Sequence, residues 1–454
     1  MDHLNEEHCN ATQRSKLLSK RVSPKLLKRS AGTETCCIFR IPWTPVQINS
    51  KAYEPKIVSI GPYHHGKQSL EMIQQHKHRF LEFFLEKSGT TLQELLRVVS
   101  EMEEAIRASY SENLDRFASQ DLIDMVLLDS CFILVVLLVV SNKVDHPDSD
   151  DAIFKMPWIL PAIRSDLLLL ENQVPFFLLE ALFGASKTRF HIGINKMAFE
   201  FFGYSIQRPK RVWAIHYHVK AKHLVDLIRK TFIPTWSHET SKESCLPISK
   251  WCRENAVKTR SSGTTPTGLI LSSKKLRLLG IKLESYNKAE TFLAIRLEKG
   301  RLFIPTVVLD DFLSLVFLNC VAFEQLYSSC SNHMTSYVAF MGCLMNDEAD
   351  AMFLGEKGII ENYFGTGNEV SQFFKGVCKG IVFNPNESYL ADVFEGVNMY
   401  TSKGYHVQWA GFKYTHFDSP WTCLSSSAAF TLIVLTLIQT FFTSYAYFHP
   451  PQSK

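Results

Sequence analysis

Apolar positions between residues 36 and 420 recur mainly at the spacing of amphipathic helices. Residues 91–94 (Thr-Leu-Gln-Glu) and 366–369 (Thr-Gly-Asn-Glu) have the composition of capping boxes, which open helices. The exception is 280–308, where apolar and polar residues alternate as in short strands and Lys299-Gly300 suits a tight turn. The pattern predicts a mainly α fold: an α-rich α+β body at 36–420 with a small antiparallel β element at 280–308.

Two segments of the chain lack periodic apolar residues. Residues 14–29 contain seven Lys and Arg and no acid, and 236–275 is rich in Ser, Thr, Lys and Gly. We expect a flexible basic N-terminal arm at 1–35 and a variable, exposed loop at 236–275. The arm is either solvated or in contact with anionic lipid headgroups, and the sequence leaves both interpretations open.

A long uncharged apolar segment lies near the carboxyl terminus. Residues 424–448 carry no formal charge over 25 positions, enough for a helix to cross a hydrocarbon core of about 30 Å. Trp421 at one end, with Tyr445 and Tyr447 at the other, suits the two membrane–water interfaces. We expect a single transmembrane helix at 424–448 and a short tail at 449–454, so the lipid bilayer is a predicted partner through this helix.

The orientation follows from the rest of the chain. The first residues contain no apolar run of about seven or more, so no signal peptide is predicted. A span followed by only a short tail then predicts a tail anchor, with the body in the cytosol at the plasma membrane or the endoplasmic reticulum. A second apolar run, 130–140, has eleven residues, which is too short to cross a bilayer, and predicts a buried helix.

Charge and cysteine usage narrow the classes of function. Lys and Arg total 49 against 45 Asp and Glu, a net charge of +4, which is too small to indicate nucleic acid as the main partner. The 11 cysteines include no CxxC pair, so neither a zinc ribbon nor a regular disulfide framework is predicted. We expect reduced, mostly buried thiols and no metal or other cofactor.

The segment Gly61-Pro-Tyr-His-His-Gly66-Lys67 matches the spacing of a nucleotide-binding P-loop but lacks its chemistry. Gln68 stands where a hydroxyl must hold Mg²⁺, and Pro62 has no N–H to donate to a phosphate. We interpret the segment as a structural turn between a strand-like stretch at 56–60 and a helix.

Lys77 falls on the apolar face of the helix predicted after this turn. A lysine there must either extend to solvent or pair with a carboxylate, and Asp129, just before the second apolar run, is one candidate. His76 and His78 diverge by about 200° around the helix axis, so a shared metal site is not predicted.

Other acidic side chains are interpreted as solvated or helix-end charges. Asp121 and Asp124 lie one helical turn apart, and Asp166 and Glu171 belong to polar clusters, but nothing in the sequence places them around a pocket. No hydrolase or metalloprotease motif occurs. No catalytic residue is predicted, although a catalytic set dispersed along the chain stays open.

The chain resembles a plant family through a series of segments in order. They are CCIFRIP, KAYEPKIVSIGPYHHGK, HKHRFLEFFL, MVLLDSCFIL, PWILPAIRSDLLLLENQVPFFLLEALF, IPTVVLDDF, VAFEQL, TSYVAFM, GEKGIIENYFG, FFKGVCKGIVFNPNESYLADV and LTLIQTFF. These segments are similar to the plant-specific domain of unknown function 247, from about Cys36 to the anchor. Val135 and Val136 depart from the family, where an acidic residue is expected after Cys-Phe-Ile-Leu.

The resemblance implies plant origin, a carboxy-terminal membrane helix and no established catalytic residues. Some grass members resemble, in role, determinants of pollen self-incompatibility, which implies recognition rather than catalysis. The resemblance marks motif positions of unknown role at Gly61, Pro62, His64, His65, Gly66, Lys67, Lys77, Asp129, Glu171, Asn172 and Gln173.

The expected function is therefore non-enzymatic. We expect a membrane-anchored recognition or signalling-scaffold protein whose helical body binds an unidentified protein partner. A role related to self-incompatibility recognition is one form of this expectation. The alternative is a membrane-bound enzyme with a dispersed active site, and the sequence leaves the oligomeric state open.

Overall fold

The structure, a computed structural model, describes residues 29–42, 52–145, 147, 150–206, 208–234, 268–363, 365–402 and 420–448. Residues 1–28 of the predicted arm at 1–35, most of the predicted loop at 236–275 and the tail at 449–454 lie outside these residues. Those three boundaries therefore stay predictions.

The body is rich in helices, as the apolar spacing predicts, and 58% of the structure is helical. In chain order the helices are α1 Glu71–Ser88, α2 Leu92–Glu101, α3 Glu103–Ala108, α4 Ser119–Val140, α5 Ala152–Lys155, α6 Ile159–Asp166, α7 Phe176–Gly184, α8 Ile194–Phe202, α9 Lys210–Ile215, α10 Leu224–Phe232, α11 Ser273–Leu278, α12 Asp311–Leu326, α13 His333–Leu344, α14 Glu348–Glu356, α15 Gly367–Lys379, α16 Ala391–Ser402 and α17 Pro420–Phe448. Short 3₁₀ turns occupy Arg29–Gly32, Gln68–Leu70 and Pro385–Glu387.

Helix starts follow the local capping signals. The Thr91 hydroxyl accepts a hydrogen bond from the Glu94 N–H at 3.3 Å, and the Glu94 carboxylate accepts one from the Thr91 N–H at 2.8 Å. Thr366 and Glu369 repeat this reciprocal pair at the start of α15. Both predicted capping boxes are therefore confirmed, because the groups that form them lie within one helical turn.

Helix α4 is the centre of the first half of the body. It has 22 residues and is apolar on all sides, and α1, α2, α7 and α8 pack around it. The predicted burial of 130–140 is confirmed, but the reason given for it was wrong, since the whole helix is long enough to cross a membrane. Its position inside the body, with 83% of the apolar window buried, makes it a core helix.

The second half packs around α12, which contacts α10 and α13, while α13 packs on α15 and α15 on α14. Contact between α10 and α12 joins the two halves. Buried apolar side chains from both halves belong to one continuous core. The body is thus a single packed unit, to which a sheet is attached.

The β element contains β1 Lys282–Ser285, β2 Arg296–Glu298, β3 Arg301–Ile304 and β4 Val307–Leu309, with β5 Ile360–Asn362 farther along the chain. Strands β2 and β3 are antiparallel, and the predicted turn joins them at Lys299 (φ 48°) and Gly300 (φ 76°). However, β1 is parallel to β3, and β4 pairs with β5, also in parallel. The predicted wholly antiparallel element is therefore wrong in part, because side-chain alternation fixes a strand's buried face and not its neighbour.

The cysteines whose side chains the structure describes are free thiols, and Cys36, Cys37, Cys131 and Cys320 are buried. Burial raises the pKa of the Cys37 thiol to about 12, so this group stays protonated and unreactive at neutral pH.

Candidate functional site

The stretch predicted as strand-like, 56–60, forms no strand, and its backbone pairs with side chains instead. The N–H groups of Lys56, Ile57 and Val58 donate to the Asp166 carboxylate at 2.8, 2.8 and 2.9 Å. Asp166 is 1% exposed, so its interpretation as a solvated charge was wrong. Burial raises the pKa of Asp166 above its ordinary value, while the three N–H donors oppose that shift.

Lys77 and Asp129 form a buried ion pair below this stretch. The Lys77 ammonium lies 2.5 Å from Asp129 Oδ1 and 2.5 Å from the Ser59 carbonyl oxygen. The second carboxylate oxygen, Oδ2, accepts the Gly61 N–H at 2.7 Å. The structure thus pairs the lysine with its candidate carboxylate, and the pair also fixes the backbone at Ser59 and Gly61.

Asn172 and Gln173 complete the set of side chains that bind backbone. The Asn172 side chain accepts the Ile60 N–H at 2.7 Å and donates to the carbonyls of Val58 and Asp166, each at 3.0 Å. The Gln173 amide donates to Leu167 O and Leu169 O, each at 2.8 Å, and accepts the Leu224 N–H at 3.1 Å. These two amides therefore join the stretch 56–60, the segment after α6 and the start of α10.

Glu171 binds the amino-terminal part of the body. Its carboxylate accepts the Ile41 N–H at 2.7 Å and pairs with the Arg40 guanidinium at 2.8 Å. Burial raises the pKa of Glu171, and Arg40 partly offsets that rise. Glu171 as a whole is 6% exposed, so its interpretation as a solvated charge was also wrong.

The His-His segment is divided between the interior and the surface. His64 is buried, with Nε2 3.4 Å from Glu171 Oε2. Burial, reinforced by Lys67 and Arg40, lowers the pKa of His64 to about 3, so the ring is neutral at pH 7 and this contact is not an ion pair. His65, Gly66 and Lys67 are exposed.

The two glycines of this segment differ in their surroundings, although both have a left-handed backbone, with φ 71° at Gly61 and 79° at Gly66. A Cβ atom added to Gly61 would lie 2.5 Å from Gln173 O and 3.0 Å from the Tyr110 hydroxyl. A Cβ atom added to Gly66 would meet nothing within 4 Å. Only Gly61 is therefore required by packing as well as by backbone conformation.

We expect Gly61→Ala to lower the free energy of unfolding by about 2–4 kcal/mol, since it adds an overpacking cost to the left-handed backbone cost. Gly66→Ala carries the backbone cost alone, about 1–2 kcal/mol. Urea unfolding of the purified full chain, followed by tryptophan fluorescence, measures both. Equal losses in the two variants would contradict the close packing of Gly61 on Gln173.

A second ionic cluster, which the sequence did not indicate, joins α10, α12 and α13. Arg229 pairs with Glu324 at 3.1 Å and with Asp226 at 3.2 Å, and all three side chains are buried. Glu324 also accepts the N–H groups of Met334 and Thr335 at the start of α13. Burial lowers the pKa of Arg229, but the two carboxylates more than offset this and hold it above its ordinary value.

Together these contacts indicate what the motif residues do chemically. The buried side chains of Lys77, Asp129, Asp166, Glu171, Asn172 and Gln173 each bind backbone groups or an opposite charge from another segment. The cluster therefore holds 40–41 and 56–61 against α4 and 166–173. Among the residues that the structure describes, no group of three or more His, Cys, Asp and Glu is arranged to hold a metal ion. The arrangement is that of a structural clamp.

An open cleft of ≈ 640 Å³ lies elsewhere, between the loop before α9, the loop after β1 and the start of α12. Its charged lining residues are Arg208, Glu290, Asp310 and Glu361. Burial lowers the pKa of Arg208 to about 10, and its guanidinium donates to the carbonyls of Thr231 and Glu290. The cleft has the volume of a small-molecule site, and its ionisable groups come from distant parts of the chain.

The apolar segment of helix α17 is not buried against the body. Leu424–Tyr445 is long and apolar enough to cross a membrane and is 0% buried. The hydroxyls of Thr431, Thr436 and Thr440 donate to carbonyls four residues earlier, at 2.8–2.9 Å. Such bonds satisfy hydroxyl groups within the helix, as an apolar environment requires.

Comparison with known proteins places this fold in a family. A family model described as plant protein of unknown function, the domain of unknown function 247, matches residues 38–435. UPF0481 protein At3g47200 of Arabidopsis thaliana is 48% identical over 438 residues, covering 94% of this chain and 90% of the relative. Putative UPF0481 protein At3g02645 of the same plant is 20% identical over 522 aligned positions, covering 93% of each chain. No solved structure matches the chain. The chain therefore belongs to the plant family of the domain of unknown function 247.

Proposed function

We propose that this chain is a membrane-anchored recognition protein, in which α17 crosses a bilayer and the helical body binds another protein. The observation that supports this most is α17 itself, whose apolar side chains are exposed on every face, with Leu432 at 65% and Leu437 at 65%. Each exposed leucine costs about 1.5–3 kcal/mol in water relative to an apolar environment. A bilayer removes this cost along the whole helix.

The use of the motif residues supports recognition over catalysis. The polar groups of five motif residues bind other groups inside the body: Lys77, Asp129, Glu171, Asn172 and Gln173. These groups therefore stabilise the fold. A fold clamped in this way presents a rigid helical surface, which favours binding with little loss of conformational entropy. We place the body in the cytosol, because free buried thiols such as those of this chain stay reduced there.

Crosslinking in intact plant cells tests the proposal. We expect a specific protein to be crosslinked to the full chain, and equally to a variant in which 420–448 is replaced by an unrelated single-pass span. The matched control carries 420–454 on an unrelated soluble protein and should not recover that partner. Recovery by the control at the same yield would show that the body is not the recognition element.

A second candidate function is that of a membrane-bound enzyme with a dispersed active site, and the cleft around Arg208 favours it. The cleft combines a buried guanidinium whose pKa is lowered to about 10 with carboxylates at Glu290, Asp310 and Glu361. Clefts with perturbed ionisable groups are where active sites concentrate. Under this alternative, Arg208→Met would abolish an activity without releasing the chain from the membrane.

A further inference from the structure

One stretch of the body surface carries only positive charge. Residues 201–225 contain no Asp or Glu but include Arg208, Lys210, Arg211, Lys220 and Lys222. The whole chain, by contrast, has nearly equal numbers of cations and acids, 49 and 45. Positive charge is therefore locally in excess in this stretch of the body, although the chain as a whole is close to neutral.

Packing on one side of α9 turns Lys210 and Arg211 outward. Val212 and Trp213 are buried, and the Trp213 ring stacks on Phe199 with centroids 5.0 Å apart. The opposite side of α9 and the turn after it are exposed, and we call this the basic face: Lys210, Arg211, Ala214, Ile215, His218 and Lys220. The burial of one side thus determines what the other side presents to a partner.

The charges of the basic face are available for binding. Lys210, Arg211 and Lys220 make no ion pair with any residue that the structure describes. Lys230, whose ammonium donates to the Lys220 carbonyl, is already paired with Asp226. An acidic partner would therefore meet three cations that have no ion-pair partner among the described residues.

Ile215 distinguishes between the acidic partners. It is 56% exposed, and in the chain it lies between Arg211 and Lys220, next to the exposed Ala214. An isoleucine in such a place enters the headgroup–acyl boundary of a bilayer while the cations contact lipid phosphates. Nucleic-acid backbones offer no comparable apolar layer, and binding to them rests on phosphate contacts alone.

We propose that Lys210, Arg211 and Lys220, with Ile215 between them, lie on the anionic headgroups of the membrane in which α17 is anchored. This inference rests on the proposed anchor. The segment 403–419, between α16 and α17, spans at most about 60 Å when fully extended, so an anchored body stays close to the bilayer. A second contact through the basic face would then fix which side of the body faces solvent and its protein partner.

The test uses the full chain in lipid nanodiscs made of phosphatidylcholine alone or mixed with phosphatidylserine. Acylation rates of individual lysines by an N-hydroxysuccinimide ester are measured by mass spectrometry. Ionic strength is set at roughly 0.01 M and 1 M, where the Debye length is about 30 Å and about 3 Å. Lys143, Lys282 and Lys288, which are exposed on other elements, serve as internal controls.

We expect acylation of Lys210 and Lys220 to slow by about fivefold or more in phosphatidylserine discs at low ionic strength, because each cation near an anionic surface adds about fivefold to binding. The rates should recover at high ionic strength, and the three control lysines should not change. Arg211→Glu should restore most of the reactivity of Lys210 and Lys220, whereas Lys143→Glu should restore none.

The experiment distinguishes a failure of the proposed contact of the basic face from a failure of the proposed membrane anchor. A chain that leaves the discs under alkaline washing contradicts the anchor, and this inference with it. A chain that stays in the discs, with Lys210 and Lys220 equally reactive in both lipid compositions, contradicts the basic face alone. Protection that appears only when RNA is added would assign the face to nucleic acid and overturn the proposal.

Discussion

Lys77→Met is expected to lower the free energy of unfolding by about 3–5 kcal/mol, because it leaves the buried Asp129 carboxylate without its counter-charge. Both side chains of the pair are 1% exposed, so water cannot replace the lost ammonium. The Ser59 carbonyl also loses its donor. Urea unfolding of the full chain in mild detergent, followed by tryptophan fluorescence, measures the loss.

Two further variants distinguish the loss of the Lys77–Asp129 ion pair from the general effect of replacing a lysine by methionine. Lys67→Met removes an exposed lysine close to the same turn and should change stability by less than about 0.5 kcal/mol. The double variant Lys77→Met/Asp129→Asn removes both charges and keeps an oxygen for the Gly61 N–H. It should recover about 1–3 kcal/mol relative to Lys77→Met, and a purely additive loss would contradict the pairing.

Arg229→Met should destabilise the body by a similar amount, about 3–5 kcal/mol, since it leaves Asp226 and Glu324 buried without a cation. Arg211→Met, on the exposed side of α9, is the matched control and should cost less than about 0.5 kcal/mol. The same unfolding experiment compares the two. Equal stabilities would contradict the role of the Arg229 cluster in joining α10 to α12 and α13.

The pH dependence of Arg229→Met gives a second, independent signature. Burial already raises the pKa of Glu324 above its ordinary value in the native protein. Without Arg229 the folded state holds that proton more strongly than the unfolded state does, so folding takes up protons. The variant should therefore regain stability relative to the native chain as the pH falls from 7 towards 5.

Features that depend on neighbouring residues could be predicted from the sequence. The capping box at Thr91 and the turn at Lys299-Gly300 are decided within four residues, and both have the expected geometry. Lys77 was predictable for another reason, since a lysine on an apolar helix face needs a carboxylate and Asp129 was close to the core. The helical class of the fold follows from the same local patterns.

Features that depend on distant partners could not be predicted in this way. The burial of Asp166 could not be predicted, because the three N–H groups that bind its carboxylate belong to residues about 110 positions earlier in the chain. From its neighbours alone it was interpreted as a solvated or helix-end charge. Glu324 gave only one signal, a carboxylate within the apolar sequence of α12, and Arg229 lies 95 positions away. The parallel pairing of β4 with β5 is of the same kind.

The central claim is that α17 crosses a membrane and leaves the body on the cytosolic side. Its most direct test appends a glycosylation-acceptor tag through a spacer after Lys454 and follows modification of the tag and of the exposed Asn386, in Asn-Glu-Ser, in plant cells. A variant with Leu435→Arg and Ile438→Arg is the control, since each charge at the centre of a span costs about 2.5–3.5 kcal/mol. We predict a modified tag and an unmodified Asn386 in the native chain, and an unmodified tag in the control. Modification of Asn386, or an unmodified tag in the native chain, would contradict the account.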